Sequence, residues 1–270
     1  MPEDLSATFE APCRSWDRGG PRPVLALHCS LAHSGAWTGL AQRLHGVTVT
    51  ALDQPGHGRA ADWDGQSDLH ALTTGIATDL ARDLAAGGKI DLFGHSFGAT
   101  VCLRIALENP GLVRSLTLVE PVIFAAARGT AAHAEFRAGH EGLADMLARD
   151  RETAAATFHA AWGTGEALAD LPEKQRRYIV DRIHLIPAQN PVLMEDSAGL
   201  LRPGGLETLM LPVLLVEGAQ SPAVIDALHG VLAARLPRAT RLIVPDAGHM
   251  VPITHPDLVA RAVQAHLDAA

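Results

Sequence analysis

The stretch Ile90-Asp91-Leu92-Phe93-Gly94-His95-Ser96-Phe97-Gly98-Ala99-Thr100 constrains this chain more than any other. An apolar run that reads as a strand leads into a serine with a glycine two positions to either side. A helical pattern (Val101, Leu103, Ile105, Ala106, Leu107) follows at once. Gly94-His95-Ser96-Phe97-Gly98 fits G-x-S-x-G in the strand-to-helix context that the motif requires. The reason is steric. A serine on so tight a turn holds a strained backbone, the flanking elements pass close by, and a Cβ at 94 or 98 has no room. The turn exposes Oγ at a helix N-terminus, where free N–H groups and the dipole favour developing negative charge.

Around this stretch, strand and helix patterns alternate. Short apolar runs at 24–28, 47–53, 113–120, 211–217 and 240–244 read as buried strands, with an edge strand or hairpin at about 8–16. Leu69, Leu72, Ile76, Leu80 and Leu84 make one buried helical face, and Asp79, Arg82 and Asp83 fall opposite it. Ser34 is expected to cap a helix carrying Trp37, Leu40 and Leu44. From about 123 to 205 the strand signal disappears and helical patterns dominate, notably 140–161 and 166–184. A length of 270 residues suits one α/β domain with an insertion. The expected architecture is a mostly parallel sheet covered by helices on both faces. Residues 1–122 and 206–270 would form the core, and 123–205 a helical cap over the carboxyl ends of the strands.

Bulk properties narrow the partners. A net charge of −8 without a basic run argues against nucleic acid, and no segment has the length of a membrane span. The acidic start Met1-Pro2-Glu3-Asp4 lacks a basic-then-apolar pattern, so a cytoplasmic protein is expected. Cys13, Cys29 and Cys102 are scattered and read as reduced thiols. No histidine pair has convincing ligand spacing, so neither metal nor cofactor is expected.

A serine hydroxyl needs a base to take its proton, and the base needs an orienting acid. His249, in the loop after the last strand, reaches the same sheet edge as Ser96 and is the expected base. Asp53-Gln54-Pro55-Gly56-His57-Gly58, Gly94-His95-Ser96-Phe97-Gly98 and Gly248-His249, in this order, resemble the α/β-hydrolase family. The resemblance covers nearly the whole chain outside the helical insertion.

Most members of that family place an aspartate after the strand at 213–216, yet this chain reads Gly218-Ala219-Gln220-Ser221-Pro222, with Ser221 in its place. Some subgroups, haloalkane dehalogenases among them, move the acid to the end of the strand after the nucleophile helix, where Glu120 stands. The expected catalytic set is therefore Ser96, His249 and Glu120. Asp226 is held in reserve, Glu217 precedes the acid's place, and Asp246 shapes the turn before His249. The resemblance implies an oxyanion hole from the backbone N–H groups of Phe97 and Ser30, with Leu31 the neighbouring alternative.

His28, His57 and His95 are expected to anchor loops near the site. The pocket residues expected are His28, Leu31, His95, Phe124, Trp162 and Met250. Phe136, Phe158, Ile183 and Met194 are further candidates for an apolar lining, while His133, His140, His159 and His184 read as solvated or packed. A serine nucleophile excludes the dehalogenase and epoxide hydrolase chemistries, which need a carboxylate at the turn. The resemblance implies acyl transfer to water from a small-molecule ester or lactone. Carbon–carbon bond hydrolysis, haloperoxidase-like chemistry and ligand binding without turnover remain alternatives.

Overall fold

Alternating side chains in the apolar runs decide the layering. In β2 (Arg22–Leu27) Leu25 and Leu27 face one hydrophobic layer, and Val24 and Ala26 face the other. The computed structural model describes residues 11–270, so the start of the expected N-terminal strand, at 8–10, lies outside the described residues. β1 (Cys13–Asp17), β2, β3 (Val47–Leu52), β4 (Ile90–His95), β5 (Val113–Val119), β6 (Val213–Gly218) and β7 (Ala239–Val244) form one sheet in the order β1-β3-β2-β4-β5-β6-β7. β1 runs antiparallel to β3, and every other pairing is parallel.

Helices cover both faces. α1 (Thr38–Ala41), α10 (Val251–Thr254) and α11 (Pro256–Asp268) pack on the layer that holds Val24 and Phe93. α2 (Leu69–Ala85), α3 (Phe97–Glu108) and α9 (Ala223–Arg235) pack on the layer that holds Leu25 and Leu92. Between β5 and β6 the chain is helical: α4 (Ala131–His140), α5 (Leu143–Arg149), α6 (Arg151–Trp162), α7 (Glu173–Arg182) and α8 (Leu185–Leu193). These helices have a small core of their own around Leu143, Ala155, Ile179 and Ile183.

Strand order reverses at β2, which has β3 on one side and β4 on the other. The loops that leave β2 and β4 therefore diverge and open a crevice at the carboxyl edge of the sheet. Ser30 lies on the first loop and Ser96 on the second.

Local departures from the sequence reading trace to caps. The helix expected from Ser34 begins as a 3-10 turn, Ser34–Trp37, capped by the His33 side chain. Ser34 instead gives its amide to Asp53 Oδ1 at 2.7 Å. The pattern over 140–161 is cut at Asp150, whose carboxylate takes the amides of Glu152 and Thr153 and starts α6 afresh. The pattern over 166–184 is cut at Pro172, which precedes α7 and cannot continue a helix from its N-terminal side.

Candidate active site

Ser96 sits at φ 56°, ψ −119°, between β4 and α3. This is a left-handed conformation that an L-residue adopts only when its surroundings impose it. They do so here. A Cβ at Gly98 would meet Leu27 O at 2.3 Å, and one at Gly94 would meet the Ala99 Cα at 2.4 Å. The Ser96 amide donates to Val119 O at 2.9 Å, which pins the turn to β5.

His249 follows β7 and is buried. His95 Nε2 donates to its carbonyl at 2.9 Å, so the residue before the serine holds the backbone of the histidine loop. His249 Nδ1 donates to Glu120 Oε2 at 2.5 Å. Trp162 packs edge-on against the imidazole, with ring centroids 4.8 Å apart. Ser96 and His249 line the same cavity. Among the described residues no hydrogen bond joins the two side chains in this arrangement, and such contacts commonly tighten only with substrate bound.

Glu120 comes immediately after β5, with φ 45° and no exposed surface. Its amide donates to Val216 O at 2.8 Å. Its Oε1 accepts the Gly218 amide at 2.7 Å and also the Ser221 hydroxyl. Burial acts to raise the Glu120 pKa, but the bonds from His249, Gly218 and Ser221 outweigh it and hold the carboxyl below its ordinary value. Ser221, at the position where the family pattern has an acid, is thus spent on the carboxylate of the neighbouring strand. Sequence reasoning missed this contact, because it depends on β5 and β6 being neighbours in the sheet.

The other carboxylates lie elsewhere. Asp226 is exposed on α9 and pairs with Arg241 at 2.5 Å. Glu217 is buried and takes Arg241 Nη2 at 2.6 Å. Asp246 has φ 58°, in keeping with a turn residue.

Two backbone N–H groups, on Phe97 and Ser30, have no partner among the described residues. The Leu31 amide is already committed to His57 Nε2 at 3.1 Å. Leu31 also carries the positive φ of this loop, at 61°, and Cys29 is not among the residues with positive φ.

The three loop histidines are buried and neutral. His28 Nδ1 donates to Cys29 O at 2.7 Å while Nε2 accepts the Gln54 amide at 3.2 Å. His57 Nδ1 donates to Pro55 O at 2.9 Å. Burial pushes His28 and His95 down to about 3, and His57 to about 4. Of the expected pocket residues, His28 and His95 line neither the cavity of Ser96 and His249 nor the larger cleft outside it: both ring nitrogens of His28 and the Nε2 of His95 bond loop backbone.

The cavity shared by Ser96 and His249 is small, about 30 Å³, and is also lined by Phe124, Phe136, Phe158 and Trp162. Outside it lies a cleft of about 540 Å³ lined by Leu31, Met250, His159 and Tyr178, with Phe158, Trp162 and Ser30 forming the partition. Leu31 and Met250 therefore face the outer cleft and not the serine. Ile183 belongs to the core of the helical segment, and Met194 lines a separate surface hollow. His140, Gln189 and Asn190 reach the inner cavity unannounced by any motif.

The sheet order, the strained serine and the histidine delivered from the last loop together describe one fold. Residues 24–262 match the model of the alpha/beta hydrolase family. The chain belongs to that family. Lipase LipV of Mycobacterium tuberculosis is 29% identical over 92% of this chain and 94% of its own length. The pimeloyl-[acyl-carrier protein] methyl ester esterase of Nitrosomonas europaea is 29% identical over 88% of this chain and 92% of its own. The solved structure of an alpha/beta hydrolase from Sphaerobacter thermophilus superposes with a TM-score of 0.70, covering 96% of each chain at 22% identity. Relatives of this kind support a general hydrolase activity. Among the described residues, no helix is long and apolar enough to cross a membrane.

Proposed function

We propose that this protein cleaves a small-molecule ester or lactone by acyl transfer to water, with Ser96 as nucleophile, His249 as base and Glu120 as the orienting acid. The observation that carries the reading is the 2.5 Å bond from His249 Nδ1 to a fully buried carboxylate, beside the cavity that Ser96 lines. A carboxylate in that place fixes the imidazole tautomer with Nε2 unprotonated and stabilises the imidazolium once it forms. Ser96 Oγ attacks the carbonyl carbon and gives its proton to His249. The tetrahedral oxyanion takes the N–H groups of Phe97 and Ser30. Collapse expels the alcohol, which leaves with the proton from His249, and the acyl group remains on Ser96. Water then attacks the acyl-enzyme with His249 again as base, releasing the acid and restoring the serine.

Residues 1–122 and 206–270 act as the catalytic core in this reading, and 123–205 as a cap. The cap role is supported by Phe158 and Trp162, which stand between the small inner cavity and the outer cleft. Substrate entry then requires those two side chains to move aside.

The test is turnover of p-nitrophenyl esters and of γ- and δ-lactones by the wild type and by Ser96→Ala. Cleavage by the wild type and its loss in the variant support the proposal. Equal behaviour of the two proteins would replace it with ligand binding without catalysis.

A further inference from the structure

The face that α8 turns inward consists of Leu185, Ile186, Gln189, Val192 and Leu193. An amide stands in the middle of an apolar stripe. Gln189 is 2% exposed, so each of its polar atoms needs a partner or leaves a desolvation cost unmet. Its Oε1 has one, accepting the Ser30 hydroxyl at 2.8 Å. Its Nε2 has none. With the Ser30 hydroxyl donating to Oε1, the amide nitrogen is the free end of the side chain, and Gln189 lines the same cavity as Ser96 and His249. Asn190 also lines that cavity, with its Oδ1 taken by His140 Nε2 at 3.1 Å. Ser30 and His140 line it too, and the rest of the wall is apolar or aromatic.

We propose that Gln189 Nε2 is a substrate-recognition donor, and that the preferred acyl group carries an uncharged acceptor oxygen, such as a ketone or amide carbonyl, beyond the reacting carbonyl. This rests on the hydrolase reading above. The acyl group is the relevant part because it stays bonded to Ser96 through the intermediate, beside the groups that line this cavity, which widens once Phe158 and Trp162 move aside. The acceptor is uncharged because no Lys or Arg lines this cavity and the Nε2 of His140, which does, is already given to Asn190, so a carboxylate there would be buried without a counter-charge. A donor already desolvated in the free protein discriminates strongly. It gains a bond with the right acyl chain and stays unpaired with an apolar one of the same length.

The experiment compares p-nitrophenyl 4-oxopentanoate with p-nitrophenyl pentanoate, which differ only in a carbonyl for a methylene. The succinyl monoester supplies a terminal carboxylate at similar length. The wild type is expected to favour the 4-oxo ester in kcat/KM by about tenfold or more, chiefly through KM, and to disfavour the succinyl ester. Gln189→Glu keeps the acceptor for Ser30 and the shape of the side chain but replaces the donor. Gln189→Met removes both polar atoms and covers the case in which the first variant does not fold. Either variant is expected to lose the 4-oxo preference.

A wild type that treats the first two esters alike, or variants that keep the preference, overturns the inference while leaving the hydrolase reading intact. Preference for the succinyl ester overturns it too. If none of the esters is cleaved, the hydrolase reading fails instead. Calorimetry with 4-oxopentanamide and pentanamide then still reads the donor: tighter binding of the keto amide supports it, and equal binding refutes it.

Discussion

The loops at the carboxyl edge of the sheet and the helices that close over them are held by different chemistry. Among the loops, His28, His57 and His95 each bond to backbone, and Glu120 takes a backbone amide from the next strand. Among the described residues, the buried His133 Nε2, His159 Nε2, Arg182 Nε and Gln189 Nε2 of the helical segment have no partner, whereas on the loops after β2, β3 and β4, up to the next helical turn, only Gln54 Oε1 is so left. Ser96, His249 and Glu120 are thus each tied at some point to main chain, which substitutions elsewhere hardly alter. The cavity roof is set by side chains, which can be exchanged without moving the serine. Under the proposed function the contrast separates chemistry from selectivity: the sheet edge would supply the first, the helices the second.

If that division is right, changes at the sheet edge cost far more than changes in the helices. The largest effect tests the acid. Glu120→Gln is expected to lower kcat by about 10⁴-fold, since the amide cannot stabilise the imidazolium or hold the required tautomer. Asp226→Asn, on the exposed face of α9, leaves kcat within twofold of the wild type, by roughly the tolerance of surface sites. Steady-state kinetics on one chromogenic ester reads both, and the reverse pattern would move the acid to Asp226.

The second effect is on stability. Folded His28, His57 and His95 titrate at about 3, 4 and 3, below the ordinary 6.5, so in between the unfolded chain binds protons that the folded chain does not. Stability is therefore complete above 6.5 and falls as pH drops from there towards 3 to 4. At pH 5 the loss is about 2 kcal/mol for each histidine. Glu120 adds a further loss only below its ordinary 4.5, as the pH falls through its lowered folded value. Denaturant unfolding at pH 7 and pH 5 checks this, and equal stability at the two would contradict it.

Ser221→Ala tests a finer point at the sheet edge. The variant leaves Glu120 Oε1 with the Gly218 amide alone, and kcat is expected to fall about tenfold or less. Ser221→Thr, which keeps the hydroxyl, is expected to restore most of it. The smallest effect belongs to the roof. Phe158→Ala merges the inner cavity with the outer cleft and is expected to shift the preference towards longer acyl chains, by about tenfold or less in kcat/KM. A Phe158→Ala loss as large as that of Glu120→Gln would erase the contrast between the two regions.

Legibility in the sequence follows the same line. The strained serine, its two glycines and the late histidine leave local signals, because backbone sterics and chain order dictate them. Glu120 was visible as a strand-end acid, but its bonds depend on which strands are neighbours. The role of Ser221 was invisible for that reason: a hydroxyl in place of an acid reads as a loss until β5 and β6 lie side by side. That His28 and His95 turn ring nitrogens to loop backbone was not legible, because nothing in a motif says which way a ring points. Helix lengths in the roof were overestimated at Asp150 and Pro172, where capping and a missing N–H end a pattern that periodicity alone would continue. Gln189 did leave a trace, as the one amide in the apolar stripe of α8, and that trace can be read only once the helix is known to face the serine.

The most direct measurement is mass spectrometry of the protein after reaction with a fluorophosphonate, which traps a nucleophilic serine as a stable ester. One adduct is expected, on the peptide that carries Ser96. It should be absent in Ser96→Ala and form about 10³-fold more slowly in His249→Ala. An adduct on another residue, or labelling at Ser96 that is as fast without the imidazole as with it, would contradict the account.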